Sequence, residues 1–307
     1  MAATLSEEVQ QGRAPKPRRG MSAPRRPRKA RPPRKPFEVT GATVVAFGLI
    51  TLTLLLAAFG LYLFVGSGLA ANRSQDVLYQ QLDETLAQAT VPVAGVIPDG
   101  TPLGIVEIPR IGVEQVFVEG SASEQTIGGP GLEPDSVLPG QTGVSVLVGR
   151  RATFGAPFRN LDQLEPGDRI LVTTGQGQFT YVVDLVRTTD APATEIEQVP
   201  ARLTLITSDP AITPSRSLTV TAQLDGTAQP ASTGTAATAD DAPGAGSSGR
   251  GVALLLWAQL LLLVTALVTW GALRFDVRAV WIGAVPVLLA ILWNVFENLA
   301  VLLPNTL

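Results

Sequence analysis

The sequence predicts an all-β domain, either a closed barrel or a sandwich, that is carried by three membrane-spanning helices. Short segments rich in Val, Ile, Thr, Phe and Tyr recur between residues 104 and 222, and Gly, Pro and Asp turns separate them. Three long apolar stretches lie outside that region. Hydrophobic residues make up 46% of the chain and charged residues only 16%, a balance typical of membrane spans joined to a soluble part.

The first 40 residues form a basic tail that is predicted to be disordered and cytoplasmic. Eleven of the chain's 23 Lys and Arg lie in residues 1–37, against two of its 26 acidic residues, and almost no apolar side chains are present to build a core. The tail can anchor electrostatically to anionic lipid, or it can serve only as a topology signal. Nucleic-acid binding is not expected beside a membrane span.

Residues 41–66 are predicted to be transmembrane helix 1. The 25 residues from Gly41 carry no charge and are long enough to cross about 30 Å of hydrocarbon. Residues 72–90 then predict a short stalk helix, because Leu78, Leu82 and Leu86 fall on one helical face.

The second half of the chain contains the other two spans. Residues 225–250 are rich in Ala, Gly, Ser and Thr and predict a flexible linker. Residues 251–273 and 279–303 predict transmembrane helices 2 and 3. With a cytoplasmic N-terminus, three spans place the β domain outside, and the basic residues of the turn between the last two spans agree with the positive-inside rule.

The β domain is predicted to cover residues 100–224. Its candidate strands are 104–108, 113–118, 144–148, 169–173, 178–186, 203–207 and 218–222. Between the last two strands, an Asp-Pro pair ends the alternation of apolar and polar residues, because proline cannot donate to a strand ladder. Ser208 and Arg216 stand on either side of that break, so two polar side chains meet at one sheet edge.

The chain contains neither cysteine nor histidine. Their absence excludes disulfides, thiolate nucleophiles, imidazole bases and the ordinary zinc sites. No calcium-loop pattern is present either. We therefore expect no metal and no cofactor.

From residue 104 to residue 222 the chain resembles the sortases, most closely the actinobacterial class E type. The resemblance depends on the order and spacing of five stretches: IPRIGVEQVFVEG (108–120), GGPGLEPDSVLPGQTGVSVLVGRR (128–151), TFGAPFRNLDQLEPGDRILV (153–172), GQFTYVV (177–183) and LTLITSDP (203–210). It implies a closed barrel of about seven or eight strands.

The resemblance also implies where a catalytic site would lie. Sortases use a His in a Gly-His-Arg motif, a Cys in a Thr-Leu-x-Thr-Cys motif and an Arg on the next strand. The matching positions are Arg150, Ser208 and Arg216, with Ser217 as an alternative register. The resemblance thus implies that Arg150 approaches Ser208 and Arg216 at one end of the barrel.

Two of these three positions carry a different residue from the family pattern. A serine hydroxyl needs a neighbouring base, arginine cannot accept a proton at physiological pH, and residues 38–307 contain no lysine. Asp209 would be a weak base toward a hydroxyl. We therefore predict a catalytically inactive member that binds or scaffolds secreted peptides, envelope material or a membrane partner at the outer face of the membrane.

Several alternatives stay open. Arg150, Ser208 and Arg216 can bind a carboxylate or a peptide carbonyl, or one arginine can pair with Asp209 and simply fill the groove, with Arg151 nearby. The chain can be an active or weak transpeptidase or peptidase that uses Ser208 in place of Cys. It can also be a structural subunit of a membrane complex.

Polar residues in the last two spans predict a membrane docking face. Gln259 and Asn294 are equidistant from the turn between the spans, and Asn294, Glu297 and Asn298 fall on one helical face. Such residues face protein rather than lipid in most membrane proteins. A contact within the hairpin, docking of a partner membrane protein and snorkelling of Glu297 to water are the three interpretations.

Residues 303–307 (LPNTL) look like the Leu-Pro-x-Thr core of a sortase signal. The Gly that follows Thr in such signals is missing, and the usual order of signal, span and basic tail is reversed. Proline after a helix end is also ordinary. A pseudosubstrate role and a simple helix stop therefore stay open.

Overall fold

The computed structural model of the chain describes residues 41–93, 95–189, 201–231, 251–274 and 277–307. The predicted basic tail (1–40) and most of the predicted linker (232–250) lie outside the described residues. Residues Leu49–Leu307 form one compact unit, and Met1–Gly48 belong to the other.

One long helix opens the described chain. It consists of α1 (Gly41–Leu61), a π-helical turn (Tyr62–Gly66) and α2 (Ser67–Ala87). Gly66 and Ser67 keep right-handed helical backbone angles, so no break separates the apolar part from the amphipathic part. The segment that the sequence suggested as a separate stalk is the end of this helix, because nothing in residues 67–71 forces the backbone out of the helical region.

Eight strands close into a barrel. They are β1 (Pro102–Ile108), β2 (Val113–Glu119), β3 (Gly131–Leu132), β4 (Val144–Val148), β5 (Arg169–Thr174), β6 (Gly177–Thr189), β7 (Arg202–Asp209) and β8 (Arg216–Leu224). Their order around the barrel is β1-β2-β3-β4-β7-β8-β6-β5, and β5 pairs with β1. The pairs β2–β3 and β4–β7 are parallel, and the others are antiparallel. The closed eight-stranded barrel confirms the predicted fold class.

Alternating side chains of the strands fill the barrel interior. Phe117, Leu147, Phe158, Tyr181 and Leu205 are among the fully buried residues of this core. Each such side chain contributes about 1.5–3 kcal/mol by leaving water. Tyr181 is the polar exception, and its hydroxyl accepts a hydrogen bond from the Gly140 amide at 2.7 Å, which satisfies the buried oxygen.

Helix α2 packs against the barrel through one apolar stripe and through the side-chain amide of Gln75. Leu82 is fully buried in a cluster with Val91 and Val116, to which Leu78 and Leu86 add partly buried side chains. The expected stripe of the helix therefore does face the barrel.

A single-turn helix, α3 (Ser123–Thr126), lies between β2 and β3, and two further helices follow the barrel, α4 (Gly251–Arg274) and α5 (Val277–Ala300). In the described part of the chain, three helical stretches are long and apolar enough to cross a membrane: Leu49–Ala87, Gly251–Gly271 and Ile282–Ala300. Helix α5 packs on the first helix through an aromatic cluster. Tyr62 contacts the Trp293 ring edge-on at 4.9 Å between centroids, and the rings of Phe59 and Phe296 lie 5.3 Å apart.

Candidate functional site

The parallel pairing of β4 with β7 brings two polar segments to one end of the barrel. Val148 is paired with Ile206, so the residues that follow β4 lie beside the last residues of β7. The Gly149 amide continues the ladder by donating to the Ile206 carbonyl at 3.0 Å, and the Thr207 hydroxyl donates to the Gly149 carbonyl at 2.8 Å. A Cβ on Gly149 would lie 2.4 Å from the Phe158 ring, so this close approach requires glycine.

Asp209 lies between two arginines at the mouth of the site. In the β7–β8 ladder it is paired with Arg216, whose guanidinium donates to Asp209 Oδ2 at 2.8 Å. Arg151 donates to Asp209 Oδ1 at 2.8 Å and to the Ser208 carbonyl at 2.9 Å. Arg151 also lies 3.2 Å from Asp162. Both oxygens of the Asp209 carboxylate are therefore engaged by cations.

Arg150 lies in the interior instead. It is fully buried, and its guanidinium donates to the Ser123 hydroxyl at 2.7 Å, to the Ser123 carbonyl at 3.0 Å and to the Thr153 hydroxyl at 3.3 Å. Its Cζ lies 4.9 Å from the centroid of the Phe154 ring, within range of a cation–π contact. Burial lowers the pKa of Arg150 to about 9, because a low-dielectric interior disfavours the charged form.

A strained loop holds these groups. Phe154 and Ala156 have φ angles of 51° and 46°, in the left-handed region that side chains with a Cβ rarely adopt. The Phe154 amide donates to the Ser67 hydroxyl of α2 at 2.9 Å, and Ser67 in turn donates to the Leu63 carbonyl. Contacts with the first helix thus stabilise a loop conformation that is costly by itself.

Ser208 contacts the segment that follows α5. Its hydroxyl, buried with the rest of the side chain, donates to the Thr306 carbonyl oxygen at 2.9 Å. The Arg151 amide donates to the same oxygen at 3.1 Å. The residue at the nucleophile position therefore points its proton at a peptide carbonyl.

The next main-chain oxygen of that segment is held just as closely. The Leu307 main-chain oxygen accepts from the Ala152 and Thr153 amides, both at 3.1 Å, and from the Thr153 hydroxyl at 3.0 Å. Asn305 is fully buried and donates through its side-chain amide to the Ser121 carbonyl. The Leu307 amide donates to Pro304 at 3.2 Å, so residues 304–307 bind as a turn. We call the surface formed by residues 149–154, 207–209 and 121–123 the groove.

The contacts of the predicted groove residues divide between two places. Ser208 and Arg216 lie at adjacent strand ends, as the loop between them suggested, and Asp209 links Arg216 to Arg151. The side-chain contacts of Arg150 go to Ser123, Thr153 and Phe154, whereas Arg151 reaches the Ser208 backbone. The sequence reasoning missed Ser123 and Thr153, for which a small hydroxyl residue offers no distinctive signal.

The four residues of the predicted membrane docking face do not share one environment. Gln259 is exposed on α4. Asn294 donates to the Ala290 carbonyl at 2.9 Å and Asn298 to the Asn294 carbonyl at 2.8 Å, so both amides bond within α5. Asn298 is buried and Glu297 is half-buried. In the part of the chain that the structure describes, no group of three acidic side chains is placed to hold a metal ion.

A closed barrel with polar residues gathered at one end is the arrangement that the resemblance to sortases implied. A family model, described as the sortase domain, matches residues 106–225. The chain therefore belongs to the sortase family through this domain. The resemblance to the sortase family that the sequence motifs indicated is therefore confirmed.

Known proteins show how far the similarity extends. The sortase D of Bacillus subtilis (strain 168) is 36% identical over 97 residues, which cover 32% of this chain and 48% of that protein. The chain thus spans about half the length of this curated relative.

Two solved structures are similar to parts of the chain. A Clostridium perfringens sortase D5 transpeptidase is 23% identical, with a TM-score of 0.43 over 50% of this chain and 98% of that one. A sortase E from Streptomyces avermitilis is 31% identical, with a TM-score of 0.38 over 42% of this chain and 91% of that one.

Proposed function

We propose that this chain is a membrane-anchored sortase-domain protein that binds peptide segments in its groove without cleaving them. One observation carries the proposal. The Ser208 hydroxyl donates to a peptide carbonyl oxygen, and the residue at the family's base position is the buried Arg150. The groove therefore binds a peptide backbone, and Ser208 has no neighbouring base that could accept its proton.

The chemistry of the neighbouring groups supports an inactive site. With a pKa of about 9, Arg150 stays protonated near neutral pH, and its hydrogen bonds go to Ser123 and Thr153. Asp209 has one arginine on each carboxylate oxygen, so neither oxygen is free to take a proton from Ser208. Without a base, the hydroxyl is a weak nucleophile.

The arrangement of helix ends supports an outer location for the barrel. The second half of the first helix and the end of α5 both contact the barrel domain. Ala71 of the first helix and Ala300 of α5 lie in one buried cluster with Phe154 of the groove. Three spans starting from a basic cytoplasmic tail bring both of these ends to the outer face. Secreted peptides or proteins at the cell surface are therefore the ligands that we propose.

Intact-mass spectrometry tests the absence of cleavage. The purified full-length protein and a variant lacking residues 303–307 would each be incubated with a labelled Leu-Pro-Asn-Thr-Leu peptide, beside Ser208→Ala versions of both. We expect no adduct on the protein and no cleaved peptide in any sample. A product that forms with Ser208 and disappears in Ser208→Ala would overturn the proposal in favour of the serine transpeptidase or peptidase.

A second candidate is a structural role in a membrane complex, and the aromatic cluster between α5 and the first helix favours it. Phe296 and Tyr62 are buried there together with Phe154 of the barrel domain, so the barrel domain braces the last helix. Gln259, exposed on α4, is the residue that we propose for contact with a partner membrane protein. Loss of a co-purifying partner in Gln259→Leu, with retention in the control Leu263→Ala on the same helix, would support this role; equal recovery from both variants would exclude that contact.

A further inference from the structure

We propose that residues 303–307 are a built-in competitor for the groove, so that a peptide binds in trans only when this segment leaves. The inference rests on the proposed peptide binding and adds its ligand class and its regulation. The ligand class is a peptide that turns after a proline and presents two successive main-chain oxygens, with a side-chain amide beside the first.

The contacts of the segment are those of a ligand rather than those of a helix stop. Five donors converge on two main-chain oxygens: the Arg151 amide and Ser208 hydroxyl on Thr306, and two amides and one hydroxyl of residues 152–153 on Leu307. A helix end needs none of these, because its last turn is already completed by the amides of Val301 and Leu303, which donate back to Glu297 and Ala300. The hydrogen bonds of residues 304–307 to the barrel therefore describe what the groove recognises.

Two polar side chains of the segment are removed from solvent. Asn305 is fully buried and Thr306 is 5% exposed. The Asn305 amide is directed at the Ser121 carbonyl, 184 positions away in the chain. Main-chain acceptors and one amide side chain are thus recognised, and both are available in a separate peptide.

Tethering gives the segment its advantage over such a peptide. The segment follows α5 directly, and α5 packs on the first helix through Phe296 and Trp293, which confines it next to the groove. Tethered ligands act at effective concentrations in the millimolar range or above. A free peptide with the same contacts must therefore compete with a permanently high local concentration of residues 303–307.

Hydrogen exchange of the full-length protein in detergent tests whether the groove is occupied. We expect the amides of residues 151–153 to exchange slowly in the wild type and faster in a variant lacking residues 303–307 and in Asn305→Ala. Leu302→Ala is the matched control and should exchange like the wild type. Wild-type exchange as fast as in the deletion variant would overturn occupation of the groove, and exchange of the barrel strands reports whether each variant is folded.

Binding of a fluorescent, end-capped Leu-Pro-Asn-Thr-Leu peptide tests the competition. We expect the deletion variant to bind it about ten-fold or more tightly than the wild type, with Asn305→Ala in between. Equal affinity for the wild type and the deletion variant would overturn the competition and leave the proposed peptide binding intact. Binding by neither, in folded protein, would overturn both.

Discussion

Arg150 and Arg151 are adjacent in the chain but differ in how their charges are compensated. Arg151 contacts the carboxylates of Asp209 and Asp162. Arg150 contacts hydroxyl groups, a carbonyl and a ring. A buried cation held only by dipoles gains less from its surroundings than one paired with carboxylates. Removing each arginine should therefore have a different effect on stability.

We predict that Arg151→Met lowers the free energy of unfolding by about 2 kcal/mol more than Arg150→Met does. Loss of Arg151 removes a donor from the Ser208 carbonyl and the cation from Asp209 Oδ1, so that only Arg216 still pairs with that carboxylate. Loss of Arg150 removes no partner from a carboxylate. Denaturant unfolding of the solubilised full-length protein, followed by circular dichroism, measures both values.

Arg110→Met is the control for removing an arginine. Arg110 forms exposed ion pairs with Glu165 and Asp168 at 3.6 and 3.9 Å, and such pairs contribute between about 0 and 1 kcal/mol. An Arg151→Met variant no less stable than Arg110→Met would contradict the structural role given to the Arg151 contacts.

Tyr181 makes the barrel sensitive to alkaline pH. Burial raises the pKa of Tyr181 to about 12, above the value of about 10 expected in the unfolded chain. Between these values the folded state binds more protons, so its stability is complete below pH 10 and falls as the pH rises toward 12. We expect a loss of about 1 kcal/mol per pH unit in this window.

Unfolding of the wild type and Tyr181→Phe at pH 9 and pH 11 checks this prediction. The variant should be less stable at pH 9, because the Gly140 amide loses its acceptor, but should lose less stability between the two pH values. Identical slopes in the two proteins would show that other groups account for the alkaline transition.

At this scale the sequence identified the site only in part. The proximity of Ser208 and Arg216 could be predicted, because a loop broken by proline between two strands returns the chain to the same sheet edge; in the ladder Ser208 is paired with Ser217 and Arg216 with Asp209. The sequence could not predict that Arg151, and not Arg150, makes the hydrogen bonds to Ser208 and Asp209. That outcome depends on the backbone angles after Gly149 and on the left-handed conformation of Phe154. Those angles are stabilised by Ser67, a contact made across 87 positions of the chain.

At the scale of elements, the Gln75 side chain of α2 makes the hydrogen bonds to β2 that a neighbouring strand would otherwise make. Gln75 is buried, accepts from the Val116 amide at 2.8 Å and donates to the Val116 carbonyl at 3.0 Å and the Gly128 carbonyl at 2.7 Å. Strand β3 pairs with β2 only at Val118 and Glu119, so Val116 has a free edge on that side. The glutamine amide satisfies it.

We predict that Gln75→Leu lowers the stability of the full-length protein by about 2–4 kcal/mol. Three main-chain groups lose their partner, and each buried polar group left unsatisfied costs about 1–3 kcal/mol, partly offset by leucine's apolar surface. Thermal unfolding and hydrogen exchange at Val116 measure the effect. Gln80→Leu, on the exposed side of the same helix, is the control; equal stability of the two variants would show that the amide does not hold helix and barrel together.

The elements themselves were largely predictable. Each of the seven candidate strands lies within a strand of the barrel, because alternation of buried and exposed side chains is a local property. The two-residue β3 was not predicted, since Gly131 and Leu132 show no alternation and pair only through neighbours distant in sequence. Gln75 could have been noticed, because it falls in line with Leu78, Leu82 and Leu86 on the same helical face.

At the scale of the whole molecule, the last helix joins the membrane part to the groove. Phe296 packs on Phe59 and Tyr62, and Ala300 is fully buried in the same cluster as Phe154 of the groove. Residues 303–307 continue the chain directly from this cluster into the groove. The apolar spans could be predicted from composition, but their packing on the barrel could not, since it depends on contacts between residues far apart in the chain, such as Phe154 and Ala300.

A change in the packing of α5 should therefore be felt in the groove. We predict that Phe296→Ala accelerates amide exchange at residues 151–153 by about ten-fold, because loss of the aromatic contacts loosens the tether of residues 303–307 by about 1.4 kcal/mol. Leu289→Ala on the same helix, where the side chain is 60% exposed, should leave the exchange unchanged. If both variants exchange like the wild type while residues 303–307 still protect the groove, the segment is held by its own hydrogen bonds and not by the helix before it.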